Sequence, residues 1–132
     1  MSDANSKAQR PLSPHLQIYK PSITMVMSVV HRVTGAGLYF GTILMAWWLM
    51  SVAGGEHYYE LTRTIFGSFI GRLVLFGYTW ALIHHMLGGI RHFIWDTGAQ
   101  FERGERDRLA FLTLAGSVSI TLLIWLIGYA VR

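Results

Sequence analysis

The chain has 132 residues, 52% of them hydrophobic and 14% charged, with a formal net charge of +4 and no cysteine. A soluble domain usually carries about 25% charge, so this balance argues against an ordinary water-soluble globule. The lack of cysteine excludes disulfides and any thiolate-held iron–sulfur or structural zinc centre on this chain. No glycine-rich loop follows a strand, which excludes a nicotinamide or flavin domain. The basic residues flank apolar runs, so they read as topology signals rather than a nucleic-acid surface.

In chain order, Met1 to about Lys20 is polar and broken by Pro11, Pro14 and Pro21, which opposes a long regular helix. It lacks the charged start and cleavage site of a signal peptide and the Arg-rich character of a transit peptide. Residues 1–28 are therefore expected to form a peripheral arm on the membrane surface, and residues 29–132 a three-helix anchor domain. No charged residue occurs in 33–55 or 109–131, and only His84 and His85 interrupt the run from Arg72 to Arg91. A helix needs roughly 20 apolar residues to cross a ~30 Å hydrocarbon core. The runs are apolar all round, unlike the amphipathic helices of a soluble bundle. Membrane helices are expected over about 29–52, 64–92 and 109–131, separated by a polar loop "VAGGEHYYE" and a charged loop "DTGAQFERGERDR". The fold class is an all-α membrane protein.

Lys7, Arg10, Lys20 and Arg32 precede or open the first span, and Arg91, Arg103, Arg106 and Arg108 surround the second loop. The first loop offers Arg63 and the C-terminus Arg132. The excess of Lys and Arg puts the N-terminus and the second loop on the cytoplasmic or matrix side. This topology brings "SVVHRVTG" (Ser28–Gly35) and "HHMLGGIRH" (His84–His92) to the same face of the membrane.

His85 lies seven residues before His92, so at 1.5 Å per residue it sits ~10 Å deeper. His85, Gly89 and His92 share one helical face, and His84, Gly88 and Arg91 the neighbouring one. His31 and His92 are expected near the interface, shallower than His85. The residues alone leave three readings open. A neutral imidazole on a membrane helix can be an axial ligand for haem iron, with Gly88 and Gly89 giving clearance to a flat ligand. Intramembrane histidines can instead relay protons in a small channel or transporter subunit, although the spans hold no acidic residue. They can also simply bond to neighbouring helices. If haem is bound, depth leaves this chain one axial ligand, and the second histidine is expected from another subunit.

Ser28 and Arg32 are an i, i+4 pair on one face. A hydroxyl beside a guanidinium at the rim of an apolar cleft suits a quinone: the two groups fix a carbonyl and stabilise the anion that develops on reduction. The competing reading makes Arg32 a positive-inside anchor and Ser28 a helix-start residue.

Three segments, "RPLSPHLQIYKP" (Arg10–Pro21), "SVVHRVTG" and "HHMLGGIRHFIWD" (His84–Asp96), together resemble the cytochrome b556 membrane-anchor subunits of succinate dehydrogenase (respiratory complex II). The N-terminal segment is most similar to the mitochondrial and alphaproteobacterial branch. In the family pattern H-x-x-x-G-I-R-H the first histidine is the axial haem ligand, which implies His85 and leaves His84 as an extra neighbour. In S-x-x-H-R-x-[ST]-G the serine and arginine serve the ubiquinone site, which implies Ser28 and Arg32. His31, Arg91 and His92 become candidate haem-propionate or near-haem contacts.

The resemblance further implies haem b shared with a second small anchor subunit that supplies the other histidine, and ubiquinone as substrate. FAD and iron–sulfur clusters would reside on a flavoprotein subunit and an iron–sulfur subunit, with the "HLQIYK" arm against the latter. The chain would not be catalytic alone. It would belong to a heteromeric helix bundle in a bacterial inner membrane, N-terminus cytoplasmic, with the mitochondrial inner membrane as the alternative. A fumarate reductase anchor is the close relative within the same class.

Overall fold

The computed structural model describes residues 14–131, so Met1–Ser13 of the expected arm and Arg132 lie outside the described residues. Five helices follow in order: α1 (His15–Ile18), α2 (Ile23–Ala53), α3 (Glu56–Gly67), α4 (Phe69–Asp96) and α5 (Arg103–Ala130). Of these, α2, α4 and α5 are long and apolar enough to cross a membrane. At 31, 28 and 28 residues they exceed the ~20 that a ~30 Å core requires, so their ends reach beyond the hydrocarbon. α4 packs against both α2 and α5 and forms the middle of the bundle.

The interior is inverted relative to a soluble protein. Among the described residues the buried apolar side chains are Met27, Ile83 and Ala110, whereas Thr34, Ser51, Thr62, His84, Arg91, Thr113, Ser117 and Thr121 are buried and polar. Large apolar residues such as Phe40, Phe69, Phe93 and Leu126 face outward. Lipid solvates those side chains, so helices associate through small and hydroxylated residues that let backbones approach. α2 presents a seven-residue stripe, Met27, Thr34 and Gly41, and α5 presents Ala110, Thr113, Ser117 and Thr121. The hydroxyls donate to carbonyls of their own helix, Thr113 to Leu109 (2.8 Å), Ser117 to Leu114 (2.8 Å) and Thr121 to Ser117 (2.7 Å). No buried hydroxyl on this stripe is left unsatisfied.

Helix boundaries depart from the sequence expectation in three places. The first span, expected to begin near Ser22–Met25 as an interfacial turn and to cross from about 29, is already regular helix from Ile23, because Ser22 caps it: its Oγ accepts from the Met25 amide at 3.3 Å, and Pro21 stops it upstream. The stretch expected as a polar loop is mostly helix α3. Gly55 turns the chain with φ 95°, Glu56 complements the helix dipole, and Ser51 Oγ meets Thr62 Oγ1 at 2.7 Å in a buried bridge to α2. The charged loop shrinks to residues 97–102, turned by Gly98 (φ 81°) and Gln100 (φ 64°), and Arg103 onward is already helical.

The expected second helix, starting at Thr64, is split at Ser68 (φ −65°, ψ 163°), whose Oγ caps α4 by accepting from Gly71 N at 3.0 Å. Gly71 lies against the Ile65 carbonyl and the Phe66 backbone, leaving no space for a Cβ. Gly71→Ala is therefore expected to force the α3–α4 corner apart and destabilise the subunit by about 1–3 kcal/mol. Thermal denaturation of the assembled complex measures this. An unchanged midpoint would mean that the corner relaxes freely.

Candidate functional site

The start of α2 and the end of α4 meet at one end of the bundle. The rings of His31 and His85 stack face to face, with centroids 3.9 Å apart and planes 4° from parallel. His92 stands beside them, its ring 5.4 Å from that of His31 and edge-on to Trp95 at 5.3 Å. The expectation that His31 lies shallower than His85 is thus corrected. With α2 starting at Ile23, His31 is two turns inside the helix, about 12 Å from its first residue.

The His31 carbonyl lies 3.1 Å from His85 Nδ1, and Thr34 Oγ1 lies 3.5 Å from the same atom. A carbonyl only accepts, so His85 Nδ1 carries the proton, and in the neutral ring Nε2 keeps its lone pair. That nitrogen makes no hydrogen bond among the described residues. An imidazole whose Nδ1–H is held by a carbonyl and whose Nε2 is free is the arrangement a metal-ligating histidine needs.

The two glycines do different work. A Cβ at Gly89 would meet nothing within 4 Å, so open space lies beside His85. Gly88 is buried, and a Cβ there would strike Nδ1 of His31. Its clearance serves the His31 ring, which corrects the expectation that both glycines open a path for a flat ligand. Gly35 plays the matching part on α2, where a Cβ would lie 2.9 Å from Cε1 of His85. Deeper along the face of His85, Ala81 and Tyr78 join Gly37, Gly41 and Phe40 around an almost wholly apolar cleft of about 540 Å³.

His84 turns the other way. It is 1% exposed, its Nδ1 is 3.1 Å from Ser117 Oγ on α5, and its ring lies 5.1 Å from that of Trp80. Because Ser117 donates to Leu114, its oxygen receives the His84 proton. This is the helix-bridging reading, and it separates His84 from the adjacent His85. Ser117→Ala is expected to leave His84 Nδ1 buried without its partner and to lower stability by about 0.6–2 kcal/mol. The spectrum of any group held at His85 should not change. Denaturation and optical spectra of the same preparation separate the two effects.

Arg91 is 3% exposed, with its guanidinium 5.1 Å from the Trp95 ring. It lines a small cleft of about 150 Å³ between α4 and α5. Its Nε and Nη1, and Nδ1 of His31, are buried donors or acceptors without a partner. Arg91 is therefore buried within the bundle despite its place near the end of α4. Buried nitrogens of this kind call for a polar partner, an anionic oxygen or an ordered water.

Ser28 and Arg32 line one open cleft of about 440 Å³ together with Tyr19, Pro21, Met25, Val26 and Val29. Sequence reasoning missed Tyr19, which reaches this cleft because Pro21 and Ser22 fold the chain after α1 back along α2. It also missed Thr34 and Gly35, although both follow His31 at the i+3 and i+4 spacing that shares its face.

These features define an integral membrane subunit of a few helices, with histidines and arginines gathered at one end. Over residues 6–124 the sequence matches the family described as succinate dehydrogenase/fumarate reductase transmembrane subunit. The chain belongs to that family, and it is a membrane-anchor subunit of the succinate dehydrogenase type. It is 34% identical over 123 residues to the succinate dehydrogenase cytochrome b556 subunit of Paracoccus denitrificans, covering 93% of this chain and 94% of that one. It is 36% identical over 117 residues to the subunit of the same name from Rickettsia typhi, covering 89% and 91%. The mitochondrial cytochrome b560 subunit of Sus scrofa is 38% identical over 96 residues, covering 71% of this chain and 57% of that protein.

Proposed function

We propose that this chain anchors a succinate:ubiquinone oxidoreductase in a bacterial inner membrane, holds haem b through His85, and forms part of the ubiquinone-reduction site with Ser28 and Arg32. The observation that carries this reading is the His85 imidazole, its Nδ1–H fixed 3.1 Å from the His31 carbonyl and its Nε2 free beside Gly89. The residues present fit the cofactor. The apolar cleft deeper along the His85 face suits the hydrocarbon edge of a porphyrin. The unpartnered nitrogens of His31 and Arg91, with His92 beside them, suit its carboxylates nearer the surface. When bound, haem supplies a one-electron carrier inside the bilayer.

The chain's own residues then do four things. The His31 carbonyl sets the tautomer of His85, and the stacked His31 ring fixes its plane. Glycines 35 and 88 let α2 and α4 bring those two rings together. Arg32 offsets the negative charge that develops on a quinone oxygen as two electrons and two protons arrive, and Ser28 donates a hydrogen bond to a quinone carbonyl. The apolar walls of Val26, Val29 and Met25 hold the ring away from water. Succinate oxidation with FAD and the iron–sulfur relay belong to a flavoprotein and an iron–sulfur subunit. A second small anchor provides the facing histidine. The N-terminus lies on the cytoplasmic side with both soluble subunits, and α1 lies toward the iron–sulfur subunit.

The test is acid–acetone extraction of the purified complex followed by succinate–ubiquinone activity of a matched sample. Extractable protohaem in stoichiometric amount, together with quinone reduction, is the expected result. A complete complex without haem would overturn the haem assignment.

A further inference from the structure

At the end of the bundle opposite the histidines, residues of α3, α4 and α5 line a further cleft of about 460 Å³. Its walls are Phe66, Leu75, Ile124 and Trp125, with Arg72 and Tyr129 exposed among its lining residues. Arg72 is 13 residues from His85 along α4, ~20 Å away, so this cleft is separate from the site above. We propose that it binds the acyl chain of an acidic phospholipid whose phosphate pairs with Arg72.

Two observations favour that occupant. First, among the described residues Arg72 has no carboxylate partner. The ion pair among the described residues at this end joins Arg63 to Glu60 at 3.0 Å, and Arg72 has none. A guanidinium at a membrane interface is matched by a phosphate oxygen, which it can hold with two parallel hydrogen bonds. Secondly, the polar groups of the floor are already used. Trp125 Nε1 donates to Thr79 Oγ1 at 3.3 Å, and Thr79 in turn donates to the Leu75 carbonyl at 2.8 Å. The floor therefore offers hydrocarbon, and among the described lining residues the free donors are Arg72 and Tyr129. A quinone ring would need convergent polar partners at its two carbonyls, whereas an acyl chain needs none. A Cβ at Gly128 would meet nothing within 4 Å, so the cleft is clear along α5.

The experiment uses the whole complex. Lipids retained by the purified wild-type and Arg72→Gln complexes after detergent exchange are quantified by mass spectrometry. Bound quinone is measured in the same extracts. Several-fold loss of phosphatidylglycerol from Arg72→Gln, with phosphatidylethanolamine, quinone and the optical spectrum unchanged, is expected. Equal phosphatidylglycerol in both complexes overturns the proposal, as does loss of quinone in place of lipid.

Should Arg72→Gln fail to assemble, wild type and Trp125→Phe in nanodiscs carrying brominated phosphatidylglycerol or brominated phosphatidylcholine give the second reading. The Trp125 component of fluorescence should be quenched more by the acidic lipid, and inorganic phosphate should not relieve the quenching. Equal quenching by the two lipids, or relief by phosphate, counts against a phospholipid. This test is independent of the haem and quinone assignments, because neither Arg72 nor Trp125 belongs to those sites.

Discussion

His85→Ala is expected to remove haem from the assembled complex or leave it weakly held, whereas His84→Ala is expected to retain it. The two residues are adjacent, yet α4 directs them about 100° apart. Both imidazoles have Nδ1 held, His84 by Ser117 at 3.1 Å and His85 by the His31 carbonyl, but His84 is buried against α5 whereas His85 lies on the face that Gly89 leaves open. Under the proposed assignment this substitution would take away the imidazole that holds the iron, whereas His31 has its Nδ1 turned against Gly88. The His84 substitution removes a helix-bridging hydrogen bond, so it should lower thermal stability modestly. Haem per complex, measured on gel-filtered material with equal subunit content, separates the two outcomes. Haem loss in His84→Ala with retention in His85→Ala would reverse the assignment.

Arg32→Ala is expected to lower succinate–ubiquinone turnover by roughly 10²–10³, the usual effect of removing one charge-stabilising donor from a reacting oxyanion. Reduction of a water-soluble dye by the soluble subunits should persist. Ser28→Ala deletes a single hydrogen bond worth about 1.5 kcal/mol, or roughly tenfold in rate. Both residues line the same cleft with Tyr19, on the outward face of α2, so neither substitution disturbs the His31–His85 stack on the inward face. Haem content should therefore stay constant while quinone kinetics change. Unchanged quinone kinetics in a stable Arg32→Ala complex would return Arg32 to the role of a membrane-interface anchor.

Much of this architecture is legible in the chain itself. The charge-free runs at 33–55 and 109–131 announce two spans, and the i, i+4 spacing of Ser28 and Arg32 announces a shared face. The separation of His84 and Arg91 from His85, Gly89 and His92 follows from helical periodicity. What escaped depends on contacts between distant residues. The stretch VAGGEHYYE (52–60) looks like a polar loop, yet helix begins at Glu56, and the buried hydrogen bond between Thr62 and Ser51 joins α3 to α2. The depth of His31 depends on where α2 starts, and the Ser22 cap starts the helix at Ile23, two turns before His31. Gly88 looks like room for a ligand because sequence cannot reveal that an imidazole from another helix already uses the space. Arg91, near a helix end, reads as interfacial. It is buried because α5 packs over α4 there and Trp95 covers its guanidinium.

The central claim is that His85 ligates haem iron opposite a histidine from a second anchor. Near-infrared magnetic circular dichroism of the oxidised complex tests it most directly, because its charge-transfer band reports the axial ligand pair. The wild-type complex should show a low-spin bis-imidazole signature that is absent from His85→Ala. A bis-imidazole band persisting in His85→Ala, or no low-spin haem in the wild type, would contradict it.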